Sequence, residues 1–163
     1  MSKRAGTTQV YRVYIRATRE EVWQALTAPE WTTRYGYRGV YEYDPDLRTG
    51  ASYRALADSD MQAAGMPEVV ITGEVIEADP PRKLVQTWQA QWPPVEAPTR
   101  LTYELADSGP GVVSLTVTHE LADAPGVAAM VGGELEEQGV GGGWDQVLSD
   151  LKSLLETGEP LYS

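Results

Sequence analysis

The stretch Gly139–Gly158, GVGGGWDQVLSDLKSLLETG, decides how this chain is read. Trp144, Val147, Leu148, Leu151, Leu154 and Leu155 recur at helical spacing, which is the apolar stripe of an amphipathic helix. Asp145, Gln146, Asp150 and Lys152 are expected on its outer surface, and Gly158 is expected to stop it. The glycines before the helix have two physical uses: such a turn can cradle a phosphate, or it can let a helix lie very close to something else.

The phosphate reading fails on the residues. A P-loop needs a lysine after the glycines, and none follows. The dinucleotide fingerprint needs a glycine where Trp144 stands and a parallel strand before it. Asp145 would also repel an anion at the helix start. The packing reading survives: glycines let the backbone approach a curved sheet and turn sharply into the helix. The region 122–143 holds seven glycines and no strong core pattern. Within it PGVAAMV suits a helical turn and GELEEQG a solvated flap. The region is either an ordinary loop or a gate over a cavity between sheet and helix.

Upstream, the period changes from helical to alternating. VYRVYIRA reads as a first strand with Tyr11, Val13 and Ile15 on one face and Arg12, Tyr14 and Arg16 on the other. TREEVWQAL follows as a helix, with Thr18 and Glu21 as a capping box and Val22, Trp23 and Leu26 as its apolar stripe. TAPEWTTRYG repeats the device, with Thr27 and Glu30 as a second box, and carries Trp31 and Tyr35 on a second short helix.

Six further strands follow, separated by turn signals: VYEYDP, ASYRALAD, VVITGEVIEA, LVQTWQAQW, TRLTYELA and VVSLTVTHEL. Short turns between them predict an antiparallel meander. A longer loop is expected around DSDMQAAGMPE. Alternation puts Leu101, Tyr103 and Leu105 on one face, and Val113, Leu115, Val117 and His119 on one face. Leu84, Gln86 and Trp88 are likewise together, so one side of the sheet is wet and the other is covered by the closing helix.

Composition bounds the function. A chain of 163 residues with 42% hydrophobic residues suits one globular domain, residues 1–163, with residues 1–8 and 159–163 expected to be flexible ends. The formal net charge of -11 argues against nucleic acid and anionic membrane as partners. The chain has no cysteine, so neither a disulfide framework nor thiolate chemistry is available. No signal core or bilayer-length apolar run appears, and a cytoplasmic protein is the expectation. Phenylalanine is absent while tyrosine occurs nine times and tryptophan five, so every aromatic ring carries a polar tip.

Taken together, VYIRATREEVWQALTAPE, GEVIEADPPRKLVQTW, TRLTYEL with VVSLTVTHEL, and GGGWDQVLSDLKSLLETG resemble the START-like, or SRPBCC, superfamily. Within it the chain is similar to bacterial homologues of the activator of the heat-shock protein 90 ATPase. The resemblance implies an α+β helix-grip fold: a bent antiparallel sheet wrapped around a long C-terminal helix, with two short helices after strand 1. It implies a cavity between sheet and helix for a hydrophobic, aromatic or polycyclic small molecule. Alternatively it implies an enzyme on such a molecule (a cyclase, dehydratase or hydrolase) or a co-chaperone-like interaction module. It implies a monomer or homodimer.

The candidate ligand-binding residues are Trp31, Tyr35, Tyr53, Trp88, Tyr103, His119, Met130, Trp144 and Leu148, with Leu101 also facing inward. His119, the only histidine, is the candidate general acid/base. Its neighbour Glu120 points to the opposite face and offers no partner. No metal site is expected: Asp58 with Asp60, and Glu134 with Glu136 and Glu137, read as loop charges. No cofactor motif and no nucleophile elbow appear.

Overall fold

The structure is a computed structural model and describes residues 8–162; the expected flexible ends therefore lie partly outside the described residues. Within them, Thr8 already opens the first strand, and the Leu161 N–H and the Tyr162 carbonyl are hydrogen-bonded to Asp150 and Arg38.

Strand β1 (Thr8–Arg16) runs into helix α1 (Arg19–Thr27) and the single turn α2 (Pro29–Thr32). Then come β2 (Val40–Glu42), β3 (Ser52–Leu56), a short helix α3 (Ser59–Ala63), β4 (Val69–Asp79), β5 (Lys83–Ala90), β6 (Thr99–Gly109) and β7 (Val112–Glu120). Helix α4 (Pro125–Val131) and a 3-10 turn (Glu136–Gln138) lead to the closing helix α5 (Gly143–Thr157). The strands form one sheet in the order β1-β7-β6-β5-β4-β3-β2 with every neighbour antiparallel. Register shifts in the β3–β4, β4–β5 and β6–β7 pairings add local twist, which a sheet needs to curl around a helix.

The alternation in the sequence is the alternation in space. Leu101, Tyr103 and Leu105 on β6, and Val113, Leu115, Val117 and His119 on β7, are all buried, while Arg100, Glu104 and Glu120 are exposed. On α5, Trp144, Leu148, Leu151 and Leu154 are buried and Val147 and Leu155 half-buried. The expected capping box at α1 is present: Thr18 Oγ1 accepts from the Glu21 N–H at 3.1 Å, and Glu21 Oε1 accepts from the Thr18 N–H at 2.9 Å.

Five expectations are corrected. The second capping box does not form. Thr27 is still helical and its hydroxyl donates to the Trp23 carbonyl at 2.9 Å, while the N-cap of α2 is Ala28, with no side-chain hydrogen bond. Pro29 requires an extended residue before it, and Ala28 supplies that conformation. As a result Tyr35 lies past the end of α2 rather than on it. The loop around residues 58–68 contains α3, capped by Asp58, whose carboxylate accepts from the Met61 N–H at 2.8 Å.

Asp150 is not on the solvent side of α5. It is 2% exposed, and its carboxylate accepts from the Gly36 N–H at 2.8 Å and the Leu161 N–H at 2.6 Å. The loop after α2 and the chain end cover that side of the helix, which helical periodicity alone does not reveal.

Finally, the glycines meet α4, not the sheet. Gly143 has φ +69°, and a Cβ there would stand 2.1 Å from the Val131 carbonyl oxygen. By contrast Gly158, the left-handed C-cap of α5 at φ +85°, has open space around it. Gly143→Ala is therefore expected to cost clearly more than Gly158→Ala. The latter should cost about 1 kcal/mol of backbone strain and the former at least about 2, because strain and collision add. Chemical denaturation of the two variants checks the ranking.

Candidate functional site

Helix α5 is held down at its C-terminal half. The Lys152 ammonium donates to the Tyr14 carbonyl on β1 at 2.6 Å, and Glu156 accepts from the Arg16 N–H at 2.8 Å. Its N-terminal half stands away from the sheet, and the space between is a cavity of about 610 Å³. The sheet contributes Tyr41, Ala55, Val70, Ile71, Trp88 and Tyr103 to the wall. Helices α4 and α5 contribute Met130, Val131, Trp144, Val147, Leu148 and Leu151. Met61 and Met66 from the α3 region, with Trp92, Tyr37, Val140 and Tyr162, also line it. A volume of this size, apolar with a few polar tips, is that of a small-molecule site.

Six of the expected residues line the cavity: Tyr35, Trp88, Tyr103, Met130, Trp144 and Leu148. Trp31, Tyr53, His119 and Leu101 do not. Trp31 is half-buried with the Arg34 guanidinium over its ring at 4.8 Å. Tyr53 stacks on Tyr43 at 4.8 Å and donates to the Thr87 carbonyl at 2.6 Å, so both its face and its hydroxyl are engaged. Leu101 is fully buried behind the wall.

His119 lies behind the wall and positions it. Trp144 Nε1 has only a proton to give, and it donates to His119 Nδ1 at 3.1 Å. That fixes the tautomer: Nδ1 accepts, Nε2 carries the proton and donates to Thr99 Oγ1 at 2.8 Å. The Thr99 hydroxyl in turn donates to the Trp88 carbonyl at 2.6 Å. The imidazole also meets the Trp88 and Trp144 rings edge-on at 5.3 and 6.0 Å. One neutral histidine thus connects the two tryptophans that wall the cavity from opposite sides.

The other polar tips are mostly satisfied. Trp88 Nε1 donates to the Tyr41 hydroxyl at 3.4 Å, and the Tyr35 hydroxyl donates to the Ala25 carbonyl at 2.8 Å. Burial raises the phenol pKa of Tyr35, Tyr41 and Tyr103 above its ordinary value, so these rings present hydroxyls rather than phenolates. Among the described lining residues, Arg38 is the only basic one, and its guanidinium donates to the Tyr162 carbonyl at 2.6 Å. No group of side chains among the described residues could hold a metal ion. No helix among them is long and apolar enough to cross a membrane.

Sequence reasoning missed Tyr41, Trp92, Met61 and Met66. Two methionines in an otherwise polar loop were the available signal, since flexible thioethers commonly line adaptable apolar sites.

A family model described as Activator of Hsp90 ATPase homolog 1-like protein matches residues 16–156 of the chain. No curated protein sequence matches it significantly. Among solved structures the fold is similar to CalU16 from Micromonospora echinospora, with TM-score 0.56 and 20% identity over 80% of this chain and 69% of that one. It is similar to a protein from Mesorhizobium loti, with TM-score 0.66 and 22% identity over 91% of this chain and 96% of that one. An HSP90 activator from Plasmodium falciparum gives TM-score 0.62 and 19% identity over the same shares, 91% and 96%. At such identities these likenesses establish the fold and nothing about a ligand.

Burial lowers the His119 pKa from 6.5 to about 3. Between those values the unfolded chain binds the extra proton. The contribution to stability is therefore complete above about pH 6.5 and declines as pH falls toward 3, by at most about 1.4 kcal/mol per pH unit. With a single histidine the check is direct: its ring C–H proton resonances are expected to show no titration midpoint between about pH 8 and about pH 5.

Proposed function

The chain belongs to the Activator of Hsp90 ATPase homolog 1-like family, and from that premise we propose that it binds a hydrophobic, aromatic or polycyclic small molecule between the sheet and α5. The observation that carries this reading is the cavity of about 610 Å³, walled by tryptophan and tyrosine rings most of whose polar tips are hydrogen-bonded within the protein. Such a wall binds through burial. A tricyclic aromatic presenting about 300 Å² of apolar surface would gain about 7.5 kcal/mol before the costs of immobilisation. Edge-to-face and stacked contacts with Trp88, Tyr103 and Trp144 add selectivity for flat rings.

The binding reading has more support than the catalytic one. Both nitrogens of His119 are hydrogen-bonded, to Trp144 and Thr99, and the side chain is 0% exposed. Proton transfer to a guest would require that chain to break. A co-chaperone-like role is favoured by one observation, the likeness to the Plasmodium falciparum HSP90 activator, which is a likeness of fold.

The test uses fluorene as probe. One-to-one binding with a change in tryptophan emission is expected. Met130→Trp, which adds a ring to the wall from a half-buried position on α4, is expected to weaken it at least about tenfold while leaving the melting temperature within a few degrees. Fluorene that binds the variant as well as the parent, or binds neither, would overturn the reading. Binding of an ATPase partner that survives Met130→Trp would support the interaction role instead.

A further inference from the structure

One end of the cavity has more hydrogen-bond donors than acceptors. Three phenols line it, Tyr35, Tyr41 and Tyr103, and Tyr43 and Tyr53 stack beside Tyr41; burial is the first cause of the raised pKa of each. Tyr43, Tyr41 and Tyr35 raise the Tyr103 phenol further. The acceptors nearby are already engaged. Tyr43 donates to Gln86 Oε1 at 2.8 Å, Tyr53 to the Thr87 carbonyl, and Tyr35 to the Ala25 carbonyl.

Three donors are left over: the Gln86 amide nitrogen, the Tyr103 hydroxyl, and the Tyr41 hydroxyl, which accepts from Trp88 Nε1 but donates to no described residue. Gln86 is 0% exposed, and its Nε2 is a buried nitrogen with no hydrogen-bond partner among the described residues. If the amide is turned over, Nε2 donates to Tyr43 and Oε1 is orphaned instead; the assignment with a Tyr43 donor leaves the nitrogen free. The Tyr103 hydroxyl likewise has no hydrogen bond to any described residue, yet it is not among the fully buried atoms, so it opens to the cavity that Tyr103 lines. The Gln86 and Tyr103 side chains are diagonal neighbours on the inner face of the sheet, because Leu84 pairs with Tyr103 and Gln86 with Leu101. Unpaired donors are costly, and a ligand that satisfies the Tyr103 hydroxyl facing the cavity gains what a hydrocarbon does not.

Resting on the reading of this cavity as a ligand site, we propose that its guest is a neutral aromatic molecule bearing a carbonyl oxygen, and that the Tyr103 hydroxyl, which faces the cavity without a partner, donates to that oxygen. A carbonyl oxygen is an acceptor with lone pairs in its plane, which is the group an unpaired hydroxyl donor lacks. A carboxylate suits this end poorly: the phenols around it stay protonated and carry no positive charge, and the single basic residue of the described lining, Arg38, is bonded to the Tyr162 carbonyl. Tyr103 is on this account a specificity-determining residue, and removing its hydroxyl leaves no partner stranded.

The experiment compares 9-fluorenone with fluorene, two tricyclics of nearly the same shape that differ at the carbonyl, by calorimetric titration of the parent protein and Tyr103→Phe. Fluorenone is expected to bind the parent about tenfold more tightly than fluorene. Tyr103→Phe is expected to bring the ratio of the two affinities close to one. The infrared carbonyl stretch of bound fluorenone is expected at lower frequency in the parent than in Tyr103→Phe, a signature that a change of packing does not mimic. Equal binding of the two probes to the parent, or a preference that persists in Tyr103→Phe, overturns this inference and leaves the cavity reading intact. Binding of neither probe overturns both.

Discussion

The hydrogen-bonded chain from Trp144 through His119 and Thr99 to the Trp88 carbonyl is the constraint on which the hollow depends. A helix lying over a curved sheet gains free energy by collapsing onto it, because every apolar surface left facing empty space forfeits dispersion contacts. Something must hold the two apart. The Trp144 ring is tethered by its nitrogen to a strand residue, so the N-terminal half of α5 has a fixed height above β6 and β7. The chain has one donor and one acceptor at each link, and a neutral imidazole is the only side chain that accepts at one ring atom and donates at the other. That is a structural reason for a lone buried histidine to remain uncharged.

The rest of α5 is fastened by different means. Its C-terminal half is packed through Leu151 and Leu154 and bonded to β1 by Lys152 and Glu156. Asp150 ties the helix to the loop after α2 and to the chain end. At the other end, Gly143 allows the first turn to abut the end of α4, whose Val131 carbonyl occupies the position a side chain would need. Helix α4 in turn is capped from outside its own segment: Glu96 accepts from the Gly126 and Val127 N–H groups at 3.0 and 2.8 Å. The lid is therefore clamped at both ends, and the space beneath its N-terminal half is walled by rings and thioethers.

Much of this was legible in the chain. Period-two alternation identified the seven strands and, on β6 and β7, which residues face inward, because one face of the sheet is covered and the other wet. The capping box at Thr18 and Glu21 was legible because both partners are local. The wrong second box at Thr27 had the same letters, and Pro29 decided against it. Asp150 was misread because its partners, Gly36 and Leu161, approach from distant and neighbouring segments that helical periodicity does not describe. Of the residues expected at the site, those with alternating or helical patterns did face inward. Facing inward, however, does not separate a wall residue such as Tyr103 from a residue behind the wall such as His119 or Leu101.

The sequence by itself determined the elements, their faces and the family resemblance, because hydrophobic period and turn chemistry act over a few neighbouring residues. Only the tertiary structure decided which inward residues border open space and which polar atoms remain without partners. Those properties arise from the distance between α5 and the sheet. That distance is set by contacts among Trp144, His119, Thr99 and Trp88, residues far apart along the chain.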